Sequence, residues 1–437
     1  MKILKFGGTS VGSPQRMKDV CKLICDGQTK IVVLSAMSGT TNALVEIADY
    51  IAKHNPEAAN NVINKLRNLY MQHVSELYAT EEMAEATRKL LKEIFKHLHN
   101  LTAGGYTPSL EKEILAQGEL MSTNMVTNYL LEQGVKVKLL PALDFMRIDG
   151  NGEPDMAFIK TEVKRQVSDN PNYELYITQG FICRNLEGEI DNLQRGGSDY
   201  TACLIGAVLG AEEIQIWSDI DGMHNNDPRF VPNTTPVRQL NFEEAAELAY
   251  FGAKILHPTC IQPARFAGVP VRLLNTMDPA APGTIINNQM QQGSIKAVAA
   301  KDNITAIKIV SSRMLLATGF LRKVFEIFES HQTPVDMVTT SEVGVTLTID
   351  NTAHLAAITE ELKKYGTVET DENMCIICVV GDLRWGNVGF ETMVTEALSH
   401  IPVRMISYGG SNHNISLLVR EADKKETLCA LSQKLFQ

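Results

Sequence analysis

Along the first half of the chain, short apolar runs give way to glycine, serine or threonine and then to helical patterns. The runs at 3–6 and 31–34 are of this kind, and strand signals return at 136–140, 174–181 and 214–217. This β-turn-α rhythm predicts a parallel sheet covered by helices. Val62, Ile63, Leu66, Leu69, Tyr70 and Val74 recur at helical spacing, which predicts a helical excursion over about 43–100, interrupted at Pro56.

Beyond a polar linker at 287–293 the texture changes. A strand is predicted at 304–310, and Phe320, Leu321, Val324, Phe325 and Phe328 form one helical stripe. A strand at 335–339 follows. Val343, Val345, Leu347 and Ile349 then alternate with small or polar residues. A helix marked by Leu355, Ile358 and Leu362 and a strand at 366–370 complete one βαββαβ unit. A second unit starts at 374–380 and ends in a helix near 427–436, one strand short, and the segment 295–300 would fill that gap. The expected organisation is a catalytic region at 1–290 followed by two interleaved modules. These are 304–372 and the pair 295–300 plus 373–437.

The 437 residues suit two or three domains. A formal net charge of −10 without any basic run argues against a nucleic-acid partner. No apolar stretch approaches the ~18 residues of a membrane span, and the N-terminus lacks the apolar core of a signal peptide, so a cytoplasmic location is expected. Eight cysteines are scattered. Cys375 and Cys378 form a C-x-x-C, but inside an apolar strand pattern, which reads as buried thiols rather than a zinc or redox pair.

The chemistry-bearing residues cluster at strand ends. Lys5-Phe6-Gly7-Gly8-Thr9-Ser10 closes the first strand. Paired glycines let backbone N–H groups approach phosphate oxygens, and Lys5 supplies a positive charge. The loop is no Walker A sequence, because Ser13 stands where that motif needs lysine. Arg195-Gly196-Gly197-Ser198-Asp199 opens a helix and pairs an anion-binding turn with an arginine fork. Each loop alone fits an ordinary turn or helix cap; together they point to a phosphate and carboxylate site. Ser218-Asp219, Asp227-Pro228-Arg229 and Gly252 through Pro258 follow, with His257 read as structural because it precedes proline. Glu119, beside Gly118, reads on its own as a charge near a helix start.

In order and spacing these motifs, with Ser35, Gly39-Thr40-Thr41-Asn42 and Gly118-Glu119-Leu120-Met121-Ser122, resemble the aspartate kinases. The fold so implied is α/β: an amino-acid-kinase fold, a mostly parallel sheet sandwiched by helices, followed by two interleaved βαββαβ ACT domains. The resemblance implies that Lys5, Gly7, Gly8, Thr9 and Ser10 cradle the ATP phosphates and that Asp199 orients Lys5. It implies an aspartate site of Ser35, Thr41, Glu119, Arg195 and Ser198, and a nucleotide site that adds Ser218, Asp219, His224, Arg229 and Lys254. It further implies an effector segment of Met314, Gly319, Phe320, Leu321, Val335, Asp336, Ser341 and Glu342. The effector so implied is L-lysine, with threonine as the competitor. Gln194, Ser218, His224 and Gly344 depart from residues common in the family. ACT domains of this kind pair across subunits, so a homodimer or larger even assembly is expected.

The reaction implied is phosphoryl transfer from ATP to the side-chain carboxylate of L-aspartate, with Mg²⁺ carried by the nucleotide phosphates. That nucleophile is already ionised, so no general base is required. An amino-acid sensor with an inert first half, and a kinase of the same fold acting on glutamate, acetylglutamate or a nucleotide, are the rival readings. The residues Lys5, Arg195 and Asp199 speak against the first, and the paired C-terminal modules against the second. A fused homoserine dehydrogenase is not expected, since the sequence holds no dinucleotide fingerprint.

Overall fold

The computed structural model describes residues 1–193, 196–252, 256–311 and 318–437. It divides into two compact units. The first comprises Met1–Met223 and Leu256–Asn288, the second His224–Ile255 and Gln289–Gln437.

In the first unit the strands run in the order Val137–Leu140, Leu175–Gln179, Lys30–Leu34, Lys2–Phe6, Glu213–Ser218, Val271–Asn275 and Thr284–Asn287. Every neighbouring pair up to Val271–Asn275 is parallel, and only Thr284–Asn287 returns antiparallel. Lys2–Phe6 therefore sits centrally, and the chain winds outward from it on both sides. In such a sheet the crevice for ligands opens at the carboxyl end of that strand.

Alternation along Lys2–Phe6 sorts its side chains onto two faces. Leu4 and Phe6 join a core with Val32, Leu34, Met121 and Met125, which the long helices cover. Ile3 faces the other way, toward the helix Gly197–Leu209, whose Gly206 packs so closely that a β-carbon would meet Ile3 and Ile214. Lys5 shares the parity of Ile3 and lies on that helix's side.

The helical excursion is three helices: Thr40–Ala52, Pro56–Leu77 and Glu81–Leu101. The break after Leu77, absent from the periodicity, is made by Tyr78 in extended conformation, its hydroxyl on Met125 O. Glu132 accepts from the N–H groups of Ala79 and Thr80 there. Among the described residues, no helix is long and apolar enough to cross a membrane.

The second unit holds an antiparallel sheet in the order Val338–Thr340, Gly344–Ile349, Ile295–Val310, Thr367–Gly381, Asn414–Arg420 and Met405–Tyr408. Three sequence expectations need correction here. The runs at 295–300 and 304–310 are one strand of 16 residues, and those at 366–370 and 374–380 are one of 15. Asn303 and Asn373, at φ 59° and 56°, absorb the kink within the strand, where asparagine tolerates the left-handed region better than most residues. The pairing slips in register between Lys301 and Ile304. The strand expected at 335–339 is the shorter Val338–Thr340, because Asp336 N–H is bonded to Thr348 O and Met337 N–H to the Thr348 hydroxyl ahead of the regular ladder.

Each half of the sheet carries its own core. Ile307, Val345, Leu347 and Ile349 pack under Phe320, Val324 and Phe328 at one end. Ile377, Val379, Leu417 and Val419 pack under Phe390, Val394 and Leu428 at the other. Cys375 and Cys378 are buried free thiols.

Candidate active site

Three loops meet at the carboxyl ends of the central strands, sewn together by main-chain bonds. Gly7 N–H donates to Trp217 O, Ser35 N–H to Phe6 O, and Ser38 N–H to Gly8 O. A β-carbon on Gly8 would fall 2.7 Å from Ala36 O, so the approach of these loops requires glycine there. The N–H groups of Gly8 and Thr9 have no partner among the described hydrogen bonds. Ser10 N–H is bonded to Gly7 O, and its buried hydroxyl shares a hydrogen bond with Thr276 Oγ1, 2.8 Å away. Ser13 caps the helix Pro14–Ile24, and Arg16 ties down Thr9 O.

Lys5 Nζ lies 2.8 Å from Asp199 Oδ1, an ion pair by distance whose alignment falls short of a hydrogen bond. Asp199 stands in the first turn of Gly197–Leu209, where free N–H groups and the helix dipole favour negative charge. Gly196 precedes that helix at φ 75°, and a β-carbon on it would strike Cys260 Sγ at 1.7 Å. Ser35 Oγ donates to Ser198 Oγ at 3.0 Å, joining the second loop to the same helix start.

Glu119 supplies the second charged wall. It lies midway along the 25-residue helix Pro108–Glu132, not at a helix start as its neighbourhood suggested. Gly118 permits the approach: a β-carbon there would come within 2.7 Å of Ala36 Cβ. Ala36 N–H donates to Glu119 Oε1 at 3.1 Å, and Ser122 Oγ donates to Ser35 O at 2.8 Å. Burial pushes the Glu119 carboxyl up to about 7, against the pull of the Ala36 N–H and of Lys5. Thr41 is exposed in the first turn of Thr40–Ala52, while its neighbour Thr40 is buried against Tyr70.

The structure thus brings together Lys5, Gly7, Gly8, Ser35, Glu119, Ser198 and Asp199. Ser218 ends the next strand, its hydroxyl accepting from Ile220 N–H, and Asp219 is exposed beyond it. His224 and Arg229 belong to the second unit. There His224 Nδ1 is bonded to Thr234, and Arg229 grips Asp227 with three bonds. Arg195, Lys254 and Met314 lie outside the described residues. His257 caps the turn Pro258–Ile261, in keeping with a structural role. Ala36, Ser122 and Thr276 went unassigned in the sequence. Ser122 sits in a recognised motif, whereas Ala36 acts through its main chain and leaves no side-chain signal.

In the effector segment, Gly319 at φ 85° opens the helix Phe320–Ser330 without a side-chain cap. Ser341 and Glu342 are exposed in the turn between Val338–Thr340 and Gly344–Ile349, and Leu321 is exposed. The Asp336 side chain is only 2% exposed and is held by Lys301 Nζ at 2.6 Å and the Tyr250 hydroxyl at 2.9 Å.

A doubly wound sheet with two glycine-rich loops and a Lys–Asp pair at its central strand defines a phosphotransferase of the amino-acid-kinase class. The amino acid kinase family pattern matches residues 1–275, and an ACT domain pattern matches residues 377–435. The chain is 34% identical to the lysine-sensitive aspartokinase 3 of Escherichia coli, across all of this chain and 99% of that one. It is 35% identical to the chloroplastic aspartokinase 1 of Arabidopsis thaliana, across all of this chain and 80% of that one. Crystal structures of E. coli aspartokinase III, one with aspartate and ADP and one with lysine and aspartate, both superpose over 100% of each chain with a TM-score of 0.83. They are 32% and 34% identical to this chain. The aspartate kinase of Clostridium acetobutylicum superposes over 100% of each chain at a TM-score of 0.87 and 25% identity. The chain belongs to the aspartokinase family. It is an aspartate kinase, with a place in the biosynthesis of the aspartate-derived amino acids.

Proposed function

We propose that the γ-phosphoryl of ATP passes to the side-chain carboxylate of L-aspartate in the crevice above Lys2–Phe6, giving 4-phospho-L-aspartate. The observation that carries this reading is the convergence of the Lys5–Asp199 pair and Glu119 on one strand end. Lys5 neutralises charge on the moving phosphoryl, and Asp199 fixes the ammonium in place. The Gly8 and Thr9 N–H groups receive phosphate oxygens, with Gly7 keeping the turn tight. Ser10 completes the phosphate cradle, and its hydroxyl bond with Thr276 Oγ1 steadies the loop.

Glu119 takes the substrate's α-ammonium and Arg195 its α-carboxylate, with Ser35, Thr41 and Ser198 completing the aspartate site. Ser218, Asp219, His224, Arg229 and Lys254 complete the nucleotide site. The E. coli enzyme with aspartate and ADP supports the pairing of these two ligands. Among the described residues no group of three carboxylate, histidine or cysteine side chains could hold a metal. The N–H and ammonium donors at the crevice suit phosphate oxygens, so a Mg²⁺ would arrive on the nucleotide, where it would spread phosphate charge.

The regulatory reading is inhibition by lysine through two interleaved ACT modules, 304–372 and 295–300 plus 373–437, in a homodimer or larger even assembly in the cytoplasm. The E. coli enzyme solved with lysine supports it. Threonine is the alternative effector. Trapping the acyl phosphate with hydroxylamine tests the reaction. Product is expected with aspartate and not with glutamate, whose extra methylene misplaces the carboxylate. Equal product from glutamate would overturn the substrate assignment.

A further inference from the structure

The loop from His224 to Val231 carries two of the proposed nucleotide residues, and it is tied to the module proposed at 295–300 plus 373–437 in three places. Val298 N–H, on the strand Ile295–Val310, donates to Asn225 O at 2.8 Å. Asn226 is buried, and its Nδ2 donates at 3.1 Å to Leu428 O, 202 residues along the chain on the helix Lys424–Phe436. Phe230 and Val231 join the apolar core of the module, with Val298, Cys375 and Leu428.

A cation secures the last of these contacts. Buried Lys424 places its Nζ 4.1 Å from the centre of the Phe230 ring and 2.7 Å from Asp302 Oδ2. A buried ammonium needs an opposite charge, and it gains further from an aromatic face once water is excluded. Asp302 and Phe230 meet both needs. Lys424 thereby clamps the loop to the strand on which Asp302 stands.

Asp227 carries this anchorage on to Arg229. Its main-chain oxygen accepts from the N–H groups of Phe230 and Val231, while its carboxylate holds the N–H, Nε and Nη2 of Arg229. The Arg229 guanidinium also stands 5.8 Å from the centre of the Phe230 ring. Its side chain is 73% exposed, yet one edge of the fork is fixed, and Nη1 is in none of the described hydrogen bonds. An exposed arginine normally gives up rotamer freedom when it binds an anion. Here much of that freedom is gone before a ligand arrives.

We infer that Asn226, Phe230 and Lys424 are positioning residues for the nucleotide: the module holds the loop, and the loop holds Arg229 ready for a phosphate oxygen. This rests on the reading of Arg229 as a nucleotide residue and extends it to side chains that act only through Arg229.

The test is calorimetric titration of the full-length enzyme with ADP, together with KM for both substrates. Asn226→Ala removes the bond to Leu428 O, and Lys424→Met removes the cation over Phe230. Each is expected to weaken ADP binding and raise the KM for ATP about three- to tenfold, the range for freeing one long side chain that binding must then order. The kcat and the KM for aspartate should stay within about twofold of wild type. A merely structural loss behaves differently: it lowers the folded fraction and with it kcat, while the enzyme still folded binds ADP as before. Lys434→Met is the control, on the same helix as Lys424 but paired with Glu396 and not with the loop, and it should bind ADP normally. Arg229→Ala separates the two readings. Should it weaken ADP binding while both anchor variants bind normally, the anchors do not position the loop, and the nucleotide reading of Arg229 stands. Should Arg229→Ala bind ADP as the wild type does, that reading falls and the inference with it.

Discussion

Lys5 Nζ and Asp199 Oδ1 lie 2.8 Å apart on side chains that are 12% and 15% exposed, although 194 residues separate them in the sequence. Strand parity puts Lys5 on the face covered by Gly197–Leu209, and the start of that helix brings Asp199 to the strand end. An ammonium held in this way is placed before substrate arrives, so its contribution falls in the transition state. Lys5→Met is expected to lower kcat by about 10² or more with a smaller change in either KM. Steady-state ADP release measures this, and a variant retaining most of its kcat would remove Lys5 from the chemistry.

With Glu119 as the proposed partner of the substrate ammonium, aspartate binding is expected to depend on pH. Burial raises its carboxyl to about 7 in the empty enzyme, so below that pH the group is neutral and offers no charge to the substrate ammonium. The KM for aspartate should climb as pH falls below 7, approaching tenfold per unit, while the KM for ATP changes little. Stability moves oppositely. Between the ordinary carboxyl value of 4.5 and about 7, the folded state binds the extra proton, so this group's contribution weakens as pH rises through that window. Glu119→Gln should flatten both dependences, as thermal melts and initial rates at pH 6 and 8 would show. A KM that falls along with pH contradicts the assignment.

The glycines at the crevice answer to main-chain atoms. A β-carbon on Gly8 would meet Ala36 O at 2.7 Å, and a carbonyl cannot rotate away as a side chain can. Gly8→Ala should therefore displace the loop carrying Ser35 and Ala36, cost about 1–3 kcal/mol of stability and reduce kcat/KM for both substrates. Gly134→Ala is the control for a turn glycine, having nothing within 4 Å of a β-carbon but φ 73°. It is expected to cost stability without the kinetic loss. Equal activity losses in the two variants would place the Gly8 effect in backbone strain instead.

Much of this was legible in the sequence, for identifiable reasons. The strands at Lys2–Phe6 and Lys30–Leu34 are short apolar runs closed by glycine or serine, and such boundaries seldom mislead. The kinked strands Ile295–Val310 and Thr367–Gly381 were read as pairs, and only the pairing with partner strands shows Asn303 and Asn373 to lie within single strands. Glu119 was recognisable through the family motif, but its environment was not. Its raised carboxyl comes from long-range burial beneath Ala36, which local spacing does not record. Asp336 was singled out as an acidic effector contact, while Lys301 and Tyr250, its partners 35 and 86 residues away, carried no signal.

Those partners shape the last prediction, which concerns control. Lys301 is held by both Asp336 and Asp350, at 2.6 and 2.9 Å. Burial pulls its ammonium down, but the two carboxylates more than compensate and raise it above the usual lysine value. On the proposed effector reading, an ammonium reaching Asp336 would bind in the presence of a resident cation, with the unbonded Oδ2 open to it. Asp336→Asn keeps the shape and the hydrogen bond from Tyr250 but removes the charge. Lys301 keeps Asp350, so the cost should stay near 1–3 kcal/mol rather than that of a stranded buried cation. On that reading the half-inhibiting lysine concentration, measured against the variant's own uninhibited rate, should rise at least tenfold, because inhibition needs tighter binding to the inactive arrangement. Lys301→Met separates the alternatives. With the resident cation gone, lysine should inhibit at lower concentration if the two ammonium groups compete for Asp336, and at unchanged concentration if they do not meet. Inhibition of the wild-type enzyme by threonine and not by lysine would reassign the effector and leave the kinase chemistry as it stands.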